Sequence, residues 1–200
     1  MKNRWLSHLF YVLILAEALL VFLSWLINAA VPDVPMRSLL SNEGIRWFFG
    51  HFVENMNTPL LIWFLLLSMA WGAVHKSKIT RIFPLARLGY RQRLALRLSA
   101  VVAVSIIVVI ILLTCIPKAI LLSSSGNLFP SSFSVAIIPI LAFSVIVCSL
   151  LYGLVSGSIA DFHHAFLALA SGIVSWAPVF PLYVVGAELY SSLCFVLWFH

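Results

Sequence analysis

Long apolar runs recur along this chain, at Leu9–Ala30, Pro59–Val74, Leu98–Ile116, Phe133–Val155 and Ala165–Phe199, with short polar breaks between them. A helix rises 1.5 Å per residue, so about twenty apolar residues cross the roughly 30 Å of a bilayer's hydrocarbon core. Backbone amides in that core must be satisfied within their own segment, which leaves helices as the elements these runs can form. The sequence therefore predicts an all-α, polytopic helical membrane protein. It has about five transmembrane helices plus one or two interfacial or re-entrant amphipathic helices, in a single transmembrane domain over residues 1–200. Composition agrees: 63% of residues are hydrophobic and 9% charged, where soluble domains carry roughly a quarter charged.

Orientation is read from the stretch Lys76 to Arg97, which holds seven of the twelve basic residues and no acid: Lys76, Lys78, Arg81, Arg87, Arg91, Arg93 and Arg97. Basic clusters beside spans stay on the cytoplasmic side and orient their neighbours, so residues 76–97 read as a basic cytoplasmic loop. The formal net charge of +6 then reflects attraction to anionic lipid headgroups, and no nucleic-acid partner is expected. Ile82, Leu85 and Leu88 would hold the loop against the inner leaflet.

With that loop inside, Lys2 and Arg4 put the N-terminus in the cytoplasm, and the protein is expected in the cell inner membrane. The first run reads as a span, the other reading being a cleaved signal peptide; Glu17 and the length of the apolar core favour the span. Val31 to Asn57 is then an outer loop whose charges nearly balance. Within it Ser41 suits a helix N-cap with Glu43 in the first turn, and Ile45, Phe48, Phe49 and Phe52 form an apolar stripe, with Trp47 at headgroup level. That pattern fits a helix lying in the outer interface, or one capping the bundle. The last apolar run, thirty-five residues, is too long for one span and too short for two. Pro178 and Pro181 divide it into an interfacial or half-buried helix at Phe162–Trp176 and a fifth span at Val179–Phe199; the rival division is a span at Phe166–Val185.

Few residues offer chemistry. Glu17 and Glu188 sit near the middle of the first and fifth spans. A lone carboxylate is disfavoured at that depth, so each must be neutral, be hydrogen-bonded to a hydroxyl such as that of Tyr183, Tyr190 or Ser191, or share a proton or cation with the other. Sharing requires the two helices to be neighbours. Ser149, Gly153 and Gly157 recur every fourth residue and would let another helix backbone approach closely. His163 and His164 are adjacent, so they diverge by about 100° on a helix and do not make a metal site. Cys115, Cys148 and Cys194 are far apart and read as free thiols. No phosphate loop, nucleophile with its base, or metalloprotease motif is present, so neither enzymatic activity nor a cofactor is expected.

Two blocks carry a resemblance. Leu39 to Trp47 reads Leu-Leu-Ser-Asn-Glu-Gly-Ile-Arg-Trp; Pro130 to Pro139 reads Pro-Ser-Ser-Phe-Ser-Val-Ala-Ile-Ile-Pro, followed by Tyr-Gly-Leu-Val-Ser-Gly-Ser-Ile at 152–159 and Gly-Ala-Glu at 186–188. In content and order these resemble the p-aminobenzoyl-glutamate transporter family (AbgT), in which a glutamine stands where Glu188 does here. The resemblance implies descent from secondary transporters. Family members are longer and build their substrate site on two re-entrant hairpins. This chain passes from its second span directly into the basic loop and stops at His200, so no family binding residue is carried over. The expectation is a shortened relative without a complete substrate site of its own. The alternative is a non-transporting scaffold or accessory subunit, packing against a partner membrane protein or a second copy through Ser149, Gly153 and Gly157.

Overall fold

The structure, a computed structural model, describes residues 4–31, 36–82, 89–115 and 132–197, with no strand among them. Eight α-helices follow in order: α1 (Arg4–Ala30), α2 (Asn42–Gly50), α3 (Phe52–Met56), α4 (Pro59–Ser77), α5 (Tyr90–Cys115), α6 (Ser132–Ser156), α7 (Phe162–Trp176) and α8 (Val179–Leu197). Five of them, α1, α4, α5, α6 and α8, are long and apolar enough to cross a membrane. Their surfaces agree, because α1 buries only Ser24 and leaves Tyr11, Val12 and Leu15 more than half exposed. The chain is an all-α, multi-pass membrane protein.

The helix limits follow local chemistry. Ser41 caps α2 by accepting from the Gly44 amide at 3.0 Å, as its position before Glu43 predicts. Proline opens α4 at Pro59, where the missing amide hydrogen costs nothing. Helix α6 stops because Gly157 takes φ +79°, a left-handed conformation that ends a helix, and the chain turns back so that the Ile159 amide donates to the Gly153 carbonyl at 2.9 Å. The break before α8 falls at Ala177–Pro178, which rules out a continuous span over Phe166–Val185. At the other end of the basic stretch, α5 begins eight residues before the apolar run does. Arg91, Arg93 and Arg97 are thus exposed residues of its first two turns, Lys76 lies in the last turn of α4, and Lys78 takes φ +58° just past it. The connection is shorter than residues 76–97 because polar first turns belong to the helix although no apolar run marks them. Arg87, Leu85 and Leu88 lie outside the described residues, as do the side chains of Arg81 and Ile82.

Two compact units divide the chain: Met1–Leu61 with Trp176–His200, and Ile62–Ser175. In the first, α1 and α8 run side by side in the same direction. Leu6, Phe10 and Tyr11 lie beside Pro178 and Pro181 at one end, while Leu20 and Val21 pack on Phe195 and Val196 toward the other. The segment after α1 packs along α8. Its Arg37 amide donates to the Val196 carbonyl at 3.2 Å, Trp47 stacks on Phe195 with ring centroids 4.4 Å apart, and Tyr183 Oη donates to the Met56 carbonyl at 3.0 Å. Between Tyr183 and Val196 the axis of α8 rises about 20 Å. Residues 37–58 therefore follow α8 between Val196 and Tyr183.

In the second unit, α5 packs against α6 with Ser99 Oγ donating to the Cys148 carbonyl at 3.2 Å. Helices α4 and α7 cross with their backbones touching. A methyl group added at Gly72 would collide with the Ala168 carbonyl and stand 2.6 Å from the Gly172 amide nitrogen; one added at Gly172 would collide with the Ser68 carbonyl and stand 2.8 Å from the Gly72 nitrogen. So α7, whose limits match the short helix read from sequence, is seated on α4 through Ala168 and Gly172.

Candidate functional site

The side-by-side course of α1 and α8 brings Glu17 and Glu188 to one groove. Its volume is about 490 Å³, and its other walls are Ile14, Ala18, Val21, Phe48, Phe52, Val184 and Val185. Two of the four residues in the amphipathic stripe of the 37–58 segment, Phe48 and Phe52, thus face the acids, while Phe49 remains largely exposed.

Each acid is held by one neighbour. Ser192 Oγ donates to Glu17 Oε1 at 2.7 Å, joining α8 to α1. Asn55 Nδ2 lies 3.4 Å from both oxygens of Glu188, joining α3 to α8, and Glu188 is only 5% exposed. Glu17 Oε2 is buried and has no hydrogen-bond partner among the described residues. A buried oxygen in that state is costly unless it carries a proton or meets a cation. The hydroxyls expected beside the acids serve otherwise: Tyr183 Oη bonds Thr58 Oγ1 and the Met56 carbonyl, and Tyr190 is largely exposed.

A second cavity, of about 530 Å³, lies on the opposite face of α8, between Tyr183, Gly186, Ala187, Tyr190 and Ser191 on that helix and Glu54, Asn55, Thr58 and Leu60 on the segment before α4. Residues 183, 187 and 190 project roughly opposite to 184, 185 and 188 at 100° per residue. Asn55 belongs to this second cavity and reaches Glu188, which belongs to the first.

The other sequence candidates separate. Gly157 lies beyond the end of α6, and a methyl group at Gly153 would stand 2.8 Å from Ile159 Cγ1 and 3.3 Å from Ser77 Cβ. The space at Gly153 is filled from within the chain by Ile159 and Ser77, while Gly157 is exposed, with nothing among the described residues within 4 Å of an added methyl group. The rings of His163 and His164 stand edge to face with centroids 5.9 Å apart, and His164 Nδ1 lies 3.6 Å from Asp161 Oδ2. No group of three metal-ligating side chains occurs among the described residues. Cys148 and Cys194 are free and half-buried. Asn55 and Ser192, which hold the acids, carry no periodic or motif signal; the one hint was four polar residues, Glu54, Asn55, Asn57 and Thr58, immediately before a span. Comparison with family models, with curated proteins and with solved structures finds no match to this chain.

Proposed function

We propose that this chain is a relative of the secondary transporters of p-aminobenzoyl-glutamate-like compounds, and that it contributes a carboxyl pair, Glu17 with Glu188, that binds a proton or a monovalent cation. The relationship rests on the two sequence blocks quoted above. The carboxyl pair rests on one observation: a buried, unpartnered Glu17 oxygen in the apolar groove that Glu188 also lines. Two acids in such a groove suit a cation and repel a dicarboxylate such as p-aminobenzoyl-glutamate, so the pair serves the coupling ion and not the substrate. Purified protein in liposomes is expected to take up no p-aminobenzoyl-glutamate above empty vesicles.

A hydrophobic carbodiimide tests the carboxyl pair, because it adds only to a protonated carboxyl in apolar surroundings. Modification located at Glu17 or Glu188, and abolished in E17Q/E188Q, is the expected result. Protection by Na⁺ would identify a cation site and pH dependence without such protection a proton site, while failure to modify either acid at any pH would sink the proposal. The proposed orientation has the N-terminus and the basic connection in the cytoplasm, in the inner membrane. In a cysteine-free background, Asn127→Cys should react with an impermeant maleimide on intact cells and Gln92→Cys should not; the reverse pattern would invert the topology.

A further inference from the structure

Asn55 lines the cavity of about 530 Å³ and contacts Glu188, which lines the carboxyl groove. We infer that the 530 Å³ cavity is the hydrated antechamber of the carboxyl groove, taking a hydronium ion or hydrated monovalent cation, and that Asn55 is the positioning residue that partitions the two. The inference rests on the carboxyl-pair reading and adds to it the route by which the ion arrives.

The two linings differ in their polar side chains. Around Glu17 and Glu188 the rest of the groove is aliphatic and aromatic, whereas the wall of the second cavity, apolar over most of its area, also carries Glu54, Asn55, Thr58, Tyr183, Tyr190 and Ser191. Thr58 and Tyr183 bond to each other, which leaves Glu54 and Ser191 to offer oxygens to a hard monovalent cation or water. The carboxylate of Glu54 is 77% exposed, so it can meet an ion still in water. Small residues at Gly186 and Ala187 leave room on this face of α8, where larger ones would close it.

Asn55 sits at the boundary by construction. Its backbone is fixed in α3, its amide hydrogen donates to the His51 carbonyl at 2.8 Å, and the next carbonyl along, that of Met56, accepts from Tyr183. Its side chain lines the antechamber while Nδ2 faces both Glu188 oxygens at 3.4 Å, a long contact that is easily exchanged. An amide suits this place. Nδ2 donates to an ionised Glu188, and rotation about the last torsion offers Oδ1 to a protonated carboxyl or to a passing cation. A carboxylate there would trap the cation and an aliphatic side chain would exclude it.

The test uses the full-length protein in detergent with two carbodiimides. In the parent, the water-soluble reagent should modify Glu54 and leave Glu188 untouched, while the hydrophobic reagent reaches the carboxyl pair. In N55A the water-soluble reagent should add a label at Glu188 that the parent lacks, suppressed by excess Na⁺ if the occupant is a cation and unaffected by it if the occupant is hydronium. Labelling of Glu17 by the hydrophobic reagent should not change. If N55A unfolds, Glu17 and Glu188 will both take the water-soluble label; N55S, which shortens the side chain and keeps a polar group, then replaces it. An unlabelled Glu188 in folded N55A or N55S overturns the inference while leaving the carboxyl pair intact. Failure of the hydrophobic reagent to reach either acid in the parent overturns the carboxyl pair itself.

Discussion

The α4/α7 contact of one unit and the α1/α8 pair of the other join apolar helices, where water offers no help, by opposite means. On α4 and α7 the serines turn inward on their own helices, unlike Ser99, which reaches from α5 to α6: Ser68, Ser77 and Ser171 donate to carbonyls three residues back at 2.7, 3.1 and 2.7 Å. Their polar atoms are spent locally, side chains at the α4/α7 contact are reduced to hydrogen, and the backbones touch at Gly72 and Gly172. In the unit of α1, α2, α3 and α8 the polar atoms reach across instead. Ser192 finds Glu17, Asn55 finds Glu188, Thr58 finds Tyr183, and Ser24 Oγ accepts from the Leu39 amide at 3.2 Å. Close backbone contact gives a rigid joint with little room in it. Polar bridging keeps the helices far enough apart for a groove that holds two acids, and the bridges can be exchanged for other partners. The chemistry is therefore found in the bridged unit.

The largest effect that would break this contrast lies at the glycine contact. Adding methyl groups to both backbones in G72A/G172A should cost about 3 kcal/mol, at the upper end of overpacking penalties, measured by unfolding in mixed micelles; a neutral result would mean that α4 and α7 do not rely on contact. Removing a bridge should cost less. S192A leaves Glu17 without its donor and should lower stability by about 2 kcal/mol, and a loss larger than that of the double glycine variant would reverse the ranking. Gly157→Ala forces a side chain into a left-handed conformation and should cost about 1 kcal/mol without affecting the groove, read as unchanged carbodiimide labelling. The smallest effect sharpens the contrast most. E17Q/E188Q should be at least as stable as the parent, because exchangeable acids placed for ion binding stabilise the fold no better than neutral amides. Clear destabilisation of that variant would make the acids structural.

How much of this was legible follows from where each signal resides. Runs of apolar residues, Ser41 before Glu43, and Pro178 with Pro181 act within a turn or two of themselves, so spans, cap and break could be read directly. Glu17 and Glu188 were visible because a charge amid apolar residues is conspicuous anywhere. Their partners were not, since Asn55 is 133 residues from Glu188 and Ser192 is 175 from Glu17, and only tertiary neighbours select them. Periodicity misled at Gly157, which continues the spacing of Ser149 and Gly153 but lies past the helix, where spacing no longer means a shared face. Conversely Gly72 and Gly172, where two backbones touch, attract no notice among the other small residues of their apolar runs.

One feature of the bridged unit reaches back into how the protein is made. Its residues come from both ends of the numbering, Met1–Leu61 and Trp176–His200, with the whole of the other unit between. Glu17 is therefore synthesised 175 residues before Ser192, an interval of roughly 9–35 s at ribosomal speed. During it the carboxyl must be sheltered by water, lipid headgroups or the insertion machinery, and α1 is most open to extraction or degradation. The groove cannot assemble until α8 has followed α1 into the bilayer, and until then Glu17 remains unclaimed by Ser192.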